Sequence, residues 1–164
     1  MSVLVTVGST RFDSLINLIN KISVHKQLTL LGYRCITYQY GNGEIPKEVG
    51  DSPLTQKSIS YSDSFDELVN SSDLIISHGG AGTCLAALTP PLKRKLICVI
   101  NTDLMDNHQQ ELALVLNHSK HCFATFLENL QDLISSGKMK EPFVNFSPCE
   151  NALSIKVTTK EADI

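Results

Sequence analysis

Basic charge is not in excess: fourteen Lys and Arg stand against seventeen Asp and Glu, with a formal net charge of -3 and a pI near 5.9. Nucleic acid as a partner would call for a basic face, so the balance excludes it. The one tight basic cluster, Lys93, Arg94 and Lys95, reads as decoration of a solvated loop. Paired cysteines are also missing. The five present (Cys35, Cys84, Cys98, Cys122 and Cys149) are odd in number and contain no C-x-x-C, which argues against a disulfide framework or a zinc site and for a reducing, cytosolic setting. No apolar run approaches the ~20 residues that span a bilayer. The N-terminus lacks the basic segment, apolar core and cleavage site of a signal peptide. The expectation is that attachment to any membrane comes from another protein. Repeats and low-complexity segments are absent as well.

What is present is the composition of a compact globular chain, 42% hydrophobic and 19% charged, with a length that suits one domain over 1–164. Short apolar runs alternate with longer amphipathic ones. Strands are expected at Val3–Val7, Arg34–Tyr40, Ser58–Tyr61, Asp73–Ser77, Leu96–Ile100 and Cys122–Phe126. Helices are expected from Phe12 to Leu31, capped by Thr10 or Asp13 and stopped at Gly32, and from Ser64 to Ser71 with Ser64 and Glu67 as a capping box. Further helices follow at Gly82–Leu88, at Asn107–Asn117 with Asp106 as cap, and at Leu127–Ser135. Ser147-Pro148-Cys149-Glu150 opens a C-terminal helix over about 148–158. Gly41 to Lys57 reads as a long surface loop. Strand–helix alternation predicts an α/β fold, a Rossmann-like parallel sheet with helices on both faces. In such sheets ligands bind beyond the carboxyl ends of the strands.

Three loops lie at those ends. The first, Gly8-Ser9-Thr10, lets backbone approach a ligand; a strand–helix turn needs a glycine in any case. The second, Ser77-His78-Gly79-Gly80-Ala81-Gly82-Thr83, places three glycines in four positions before a helix. That pattern makes an anion cradle of backbone amides, with Ser77 and Thr83 as added donors. No Lys-Ser/Thr follows, so it is not a Walker loop, and it does not follow the first strand as a dinucleotide fingerprint would. A nucleotide diphosphate held as a leaving group fits it. His78 has two readings, a hydrogen-bonding partner of phosphate or sugar and a histidine that fixes its own loop; general-base catalysis is a further role open to it. The third loop begins at Asn101 and continues to Asn107, His108, Gln109 and Gln110, whose amides and imidazole offer the neutral donors and acceptors that sugar hydroxyls and an acetamido group require. His118, His121 and Cys122 lack a fourth ligand upstream and read as surface and core residues.

The runs Val5-Thr-Val-Gly-Ser-Thr-Arg-Phe-Asp-Ser-Leu-Ile, Ser72-Asp-Leu-Ile-Ile-Ser-His-Gly-Gly-Ala-Gly-Thr and Leu104-Met-Asp-Asn-His-Gln-Gln-Glu-Leu-Ala resemble a known family. It is the small subunit of a two-protein transferase that adds the second N-acetylglucosamine to dolichol-diphosphate-linked N-acetylglucosamine. That family is similar to the C-terminal domain of the bacterial lipid-II-forming transferase, the C-terminal half of a GT-B glycosyltransferase. The resemblance runs from residue 3 to about residue 126. It implies that Gly79, Gly80, Gly82 and Thr83 hold the diphosphate of UDP-N-acetylglucosamine; His78 and Ala81 of the same loop are counted with the substrate-binding residues. It places Asn107, His108, Gln109 and Gln110 near the sugar, and Gly8 and Ser9 at the mouth of the cleft.

It also implies an inverting transfer with neither cofactor nor metal, consistent with the lack of an Asp-x-Asp pair. A membrane-anchored acceptor-binding subunit would complete the enzyme at the cytosolic face of the endoplasmic reticulum, beside a soluble cytosolic pool. The C-terminal helix at 148–158 is the candidate docking element. One departure bears on function: relatives usually carry an acidic residue in the helix after the glycine loop, where this chain has Leu85-Ala86-Ala87. That favours the alternative, a non-catalytic nucleotide-binding or regulatory subunit that keeps the fold.

Overall fold

A computed structural model describes residues 1–89, 94–101, 113 and 115–140. The elements are β1 (Ser2–Thr6), α1 (Asp13–Ile19), α2 (Ile22–Leu30), β2 (Cys35–Gln39), β3 (Thr55–Ile59), α3 (Phe65–Asn70), β4 (Leu74–Ser77), α4 (Ala81–Leu88), β5 (Lys95–Ile100), β6 (Phe123–Phe126) and α5 (Leu130–Ser135). Residues 113 and 115–118 are helical as well. The six strands form one sheet in the order β3-β2-β1-β4-β5-β6, and every pairing is parallel. Strands β1, β4 and β5 are buried on both faces, as their unbroken runs of Val, Leu and Ile require. The α/β expectation of the sequence is met.

Helices cover both faces and alternate strand positions feed them. Val3, Val5, Ile36, Tyr38, Leu74, Ile76, Ile97 and Val99 pack with α1, α2 and α5. Leu4, Ile75, Leu96, Cys98 and Ile100 pack with α3, α4 and the buried Ala113 and Leu116. The chain runs outward from β1 to β3, then crosses back to lay β4 on the other flank of β1. Strand order reverses there, so the loops after β1 and β4 part to opposite faces and leave a crevice between them.

Four local expectations are corrected. The single helix predicted over Phe12–Leu31 is two. Asn20 ends α1 and donates from Nδ2 to Lys47 O at 2.7 Å, and Lys21 turns extended before α2 begins. The break resets the helical phase, and Ile22, placed by spacing on the buried stripe, is 36% exposed. Neither Thr10 nor Asp13 caps α1: Thr10 Oγ1 donates to Val7 O, and the Asp13 carboxylate accepts from Glu44 N–H. Ser64 stands at the N-cap of α3 without a side-chain hydrogen bond, so the capping box is not formed. Strand β3 starts at Thr55 rather than Ser58, because pairing with β2 selects a polar edge segment that apolar alternation does not reveal. Gly32 does end α2, at φ +97°. The expected helix over 107–117 lies mostly outside the described residues, and the C-terminal helix wholly so.

One polar network sits within the first core. His25 is fully buried, with Nδ1 2.7 Å from Ser52 Oγ and Nε2 2.7 Å from Tyr38 Oη. With the proton assigned to Nδ1, Tyr38 donates to Nε2, His25 donates to Ser52, and Ser52 donates to Leu54 O. The neutral ring thus leaves no ring atom unpaired, and burial lowers its pKa below the ordinary 6.5. The unfolded chain then binds the extra proton first, so this contribution to stability is full above pH 6.5 and is lost as pH falls below it. Denaturant midpoints measured from pH 7.5 to 5 should fall with acidity, and His25→Gln should flatten that slope. Tyr38→Phe should cost about 1–3 kcal/mol by stranding Nε2.

Candidate functional site

The loop after β4 is built for backbone donation. Ser77 closes a fully buried strand, Gly79 takes φ +79°, and Gly80 is extended at φ -62° and ψ 131° as N-cap of α4. No side chain caps this helix, and the ladder begins with Cys84 N–H donating to Gly80 O at 3.0 Å. The N–H groups of Ala81, Gly82 and Thr83 precede the ladder and point out of the helix start. A methyl group on Gly82 would meet nothing within 4 Å among the described residues. Among the three glycines of the loop, Gly79 carries the left-handed backbone, and Gly82 is already inside α4. What Gly82 supplies is open space at a helix N-terminus, where an anion is favoured.

His78 is wedged between two glycines. A Cβ on Gly8 would lie 3.2 Å from its Cε1, and one on Gly80 would lie 2.5 Å from its Nε2. Burial lowers the imidazole pKa, with the Thr6 carbonyl opposing that shift. The ring is therefore favoured neutral, and its Nδ1 is buried without a hydrogen-bond partner among the described residues. This packing accounts for the loop-fixing reading of His78.

The loop after β1 is pinned by side-chain hydrogen bonds. Gly8 takes φ +61°, but its N–H is spent on Gln39 Oε1 at 3.0 Å, and α1 starts only at Asp13. Gly8 therefore brings backbone close to the crevice rather than offering a donor. Gln39, 2% exposed at the end of β2, uses its whole amide: Oε1 accepts from Gly8 N–H and from Thr6 Oγ1, while Nε2 donates to Gly8 O at 2.8 Å and to Ser60 O at 2.7 Å. Asn42 Nδ2 holds Ser9 O at 2.9 Å, and a Cβ on Gly41 would come within 2.6 Å of Gly8 O. Sequence reasoning missed Gln39. Its only signal was a glutamine ending the strand Cys35-Ile-Thr-Tyr-Gln39, whose inward-facing neighbours Ile36 and Tyr38 are buried.

Asn101 is buried at the carboxyl end of β5, on the same edge of the sheet as His78 and Gly8. Asn107, His108, Gln109 and Gln110 lie outside the described residues. Cys84, Cys98 and Cys122 form a buried thiol cluster beneath α4, with Cys84 and Cys98 sulfurs 3.4 Å apart. The neighbouring thiols and burial push the Cys98 pKa up, which keeps the thiol protonated and inert. His121 and Cys122 are buried and His118 is exposed. No group of three metal-ligating side chains occurs among the described residues, and no described helix is long and apolar enough to cross a membrane. A cavity of about 630 Å³ lies between β6 and α5, lined by Phe123, Asp132 and Leu133, and touches neither glycine loop.

A family model for the glycosyltransferase family 28 C-terminal domain matches residues 2–158. The chain is 39% identical over 122 residues to the UDP-N-acetylglucosamine transferase subunit ALG13 of Homo sapiens, a match that covers 74% of this chain and 11% of that protein's length. The solution structure of an ALG13 superimposes with a TM-score of 0.64 at 19% identity, covering 93% of this chain and 94% of the other. MurG of Acinetobacter baumannii superimposes with a TM-score of 0.63 at 17% identity, covering 85% of this chain and 40% of the other. At those identities the two structures show the shared fold alone.

The two glycines flanking the start of α4 should respond in opposite ways. Gly82→Ala adds a methyl group in open space and a better helix former, and should leave stability unchanged or raise it by up to about 1 kcal/mol. Gly80→Ala drives a methyl group into the His78 ring and should expel it from its slot. NMR titration of His78 should then show its pKa rising towards 6.5 in Gly80→Ala and staying low in Gly82→Ala.

Proposed function

The chain belongs to the glycosyltransferase family 28 C-terminal-domain family, and from that membership we propose that it is the donor-binding part of a transferase that uses UDP-N-acetylglucosamine. The observation that carries this reading is the uncapped start of α4, with three N–H groups ahead of the ladder and free space over Gly82. A diphosphate seated there accepts from Ala81, Gly82 and Thr83. In the reaction an acceptor hydroxyl gives up its proton to a general base and attacks the anomeric carbon, the sugar–phosphate bond breaks, and UDP departs with the bonding electrons while the configuration inverts. Negative charge builds on the leaving phosphate, where fixed amide dipoles stabilise it without a metal. The neutral groups of Asn101, Asn107, His108, Gln109 and Gln110 are assigned to the sugar, and Gly8 and Ser9 to the mouth of the crevice.

The acceptor is proposed to be N-acetylglucosaminyl-diphosphodolichol, presented by a membrane-anchored second subunit at the cytosolic face of the endoplasmic reticulum. Relatives named as transferase subunits support a multi-chain enzyme.

A second reading has its own observation. The solvent-facing positions of α4 are Ala81, Gly82 and Leu85, and no carboxylate occurs anywhere in the helix. The ribose hydroxyls of a bound UDP thus find no acidic partner there, which suits a nucleotide-binding subunit that transfers nothing.

Two measurements test these readings. Gly82→Val should remain folded and lose UDP binding, read by calorimetry, because a branched side chain occupies the space proposed for the diphosphate. Retained affinity in a folded variant would count against the diphosphate site. Transfer assayed with radiolabelled UDP-N-acetylglucosamine should be absent with this chain alone and appear when the membrane subunit is added. Binding without transfer in the reconstituted pair would select the second reading.

A further inference from the structure

The residue pairings across the sheet put Gln39 level with Thr6, and Thr6 level with Ser77. All three side chains are buried beneath the crevice. From this rung we propose that Gln39 is a positioning residue for the donor site: it holds Gly8 in its left-handed conformation and, through Gly8, seats the His78 ring against Gly80. The proposal rests on the donor-binding reading above.

The geometry leaves little freedom in how this is done. Gln39 Oε1 faces two donors, Gly8 N–H and Thr6 Oγ1, and Nε2 faces two carbonyls, Gly8 O and Ser60 O. Only an amide in this orientation satisfies all four, since it alone carries two lone pairs on one end and two protons on the other. Gly8 is thereby gripped by both its N–H and its C=O, as a neighbouring strand would grip it. The tie reaches 31 residues along the chain. The His78 ring then rests on the α-carbon of Gly8 on one side and of Gly80 on the other, while the His78 backbone N–H donates to Thr6 O at 3.2 Å. Loosening Gly8 removes one wall of the slot that holds His78, and Gly80 is the residue that starts α4. The line of contact runs Gln39, Gly8, His78, Gly80, and then the amides proposed for the diphosphate.

Three variants of the full chain test the assignment, each read by UDP affinity and by NMR titration of His78. Gln39→Met fills the space with no hydrogen bond, and is expected to weaken UDP binding by about tenfold or more, the equivalent of one lost hydrogen bond, and to move the His78 pKa up. Gln39→Glu places a second oxygen against the two carbonyls. When ionised it repels them, and when protonated it donates to one, and burial raises its pKa. UDP affinity in that variant is therefore expected to recover as pH falls, a profile the wild type and Gln39→Met should not show. Gln56→Met is the control. Gln56 makes the same kind of clamp on the backbone of Val49, through Oε1 at 3.0 Å and Nε2 at 2.9 Å, away from the crevice. It should lose stability and leave UDP affinity and His78 unchanged. Folded Gln39 variants with wild-type affinity and an unmoved His78 would overturn the proposal, as would Gln56→Met matching Gln39→Met in both readouts. Failure of the wild-type chain to bind UDP would strike the donor-binding reading instead, with the His78 titration still deciding whether Gln39 holds the ring.

Discussion

The carboxyl edge of the sheet depends on the pairing of β1 with β4. Thr6 and Ser77 lie level with one another there, and each is followed within two residues by a glycine with positive φ. Because the strands are parallel and hydrogen-bonded, their exits are only one strand spacing apart, roughly 4.8 Å. Two loops leaving so close together cannot both carry side chains at the contact. Glycine at 8 and at 80 leaves room for one ring, and His78 takes it. The crevice is thus a consequence of chain direction, and its narrow floor is a consequence of strand spacing.

That floor is polar and buried, which sets a demand the apolar layers do not. Burying an amide without partners costs about 1–3 kcal/mol, so the Gln39 side chain persists there only where it is matched. Gln39 meets the demand in full. Ser77 Oγ and His78 Nδ1 do not, having no partner among the described residues. The unmatched atoms sit at the end of β4, the side from which the glycine loop springs, and the matched ones sit under Gly8. One wall of the crevice is tied through Gln39, and the other springs from two buried atoms that are unmatched among the described residues.

The apolar content of the chain does separate work. Alternating positions on β1, β4 and β5 feed the two cores almost evenly, which fixes strand register because a slip of one residue would exchange the faces. The fully satisfied His25 network lies in one core and the thiol cluster in the other.

The strands were legible in the sequence because a doubly buried strand must be apolar throughout, and Val3–Val7, Leu74–Ser77 and Leu96–Ile100 have no competing interpretation. The glycine loop was legible for the same local reason: three glycines between a strand and a helix have few other uses. Alternation of strand and helix also sufficed for a parallel α/β sheet, since parallel neighbours need a crossover between them. Tertiary structure decided the rest. The break at Asn20 depends on a carbonyl at Lys47, the choice of Thr55 for β3 depends on its partner strand, and the left-handed glycine is 79 rather than 82 because of where α4 starts. Gln39 is the clearest case. Its four partners lie at Thr6, Gly8 and Ser60, and none is within helical or turn range of residue 39. No local pattern encodes a bond that exists only after β1 and β2 have paired.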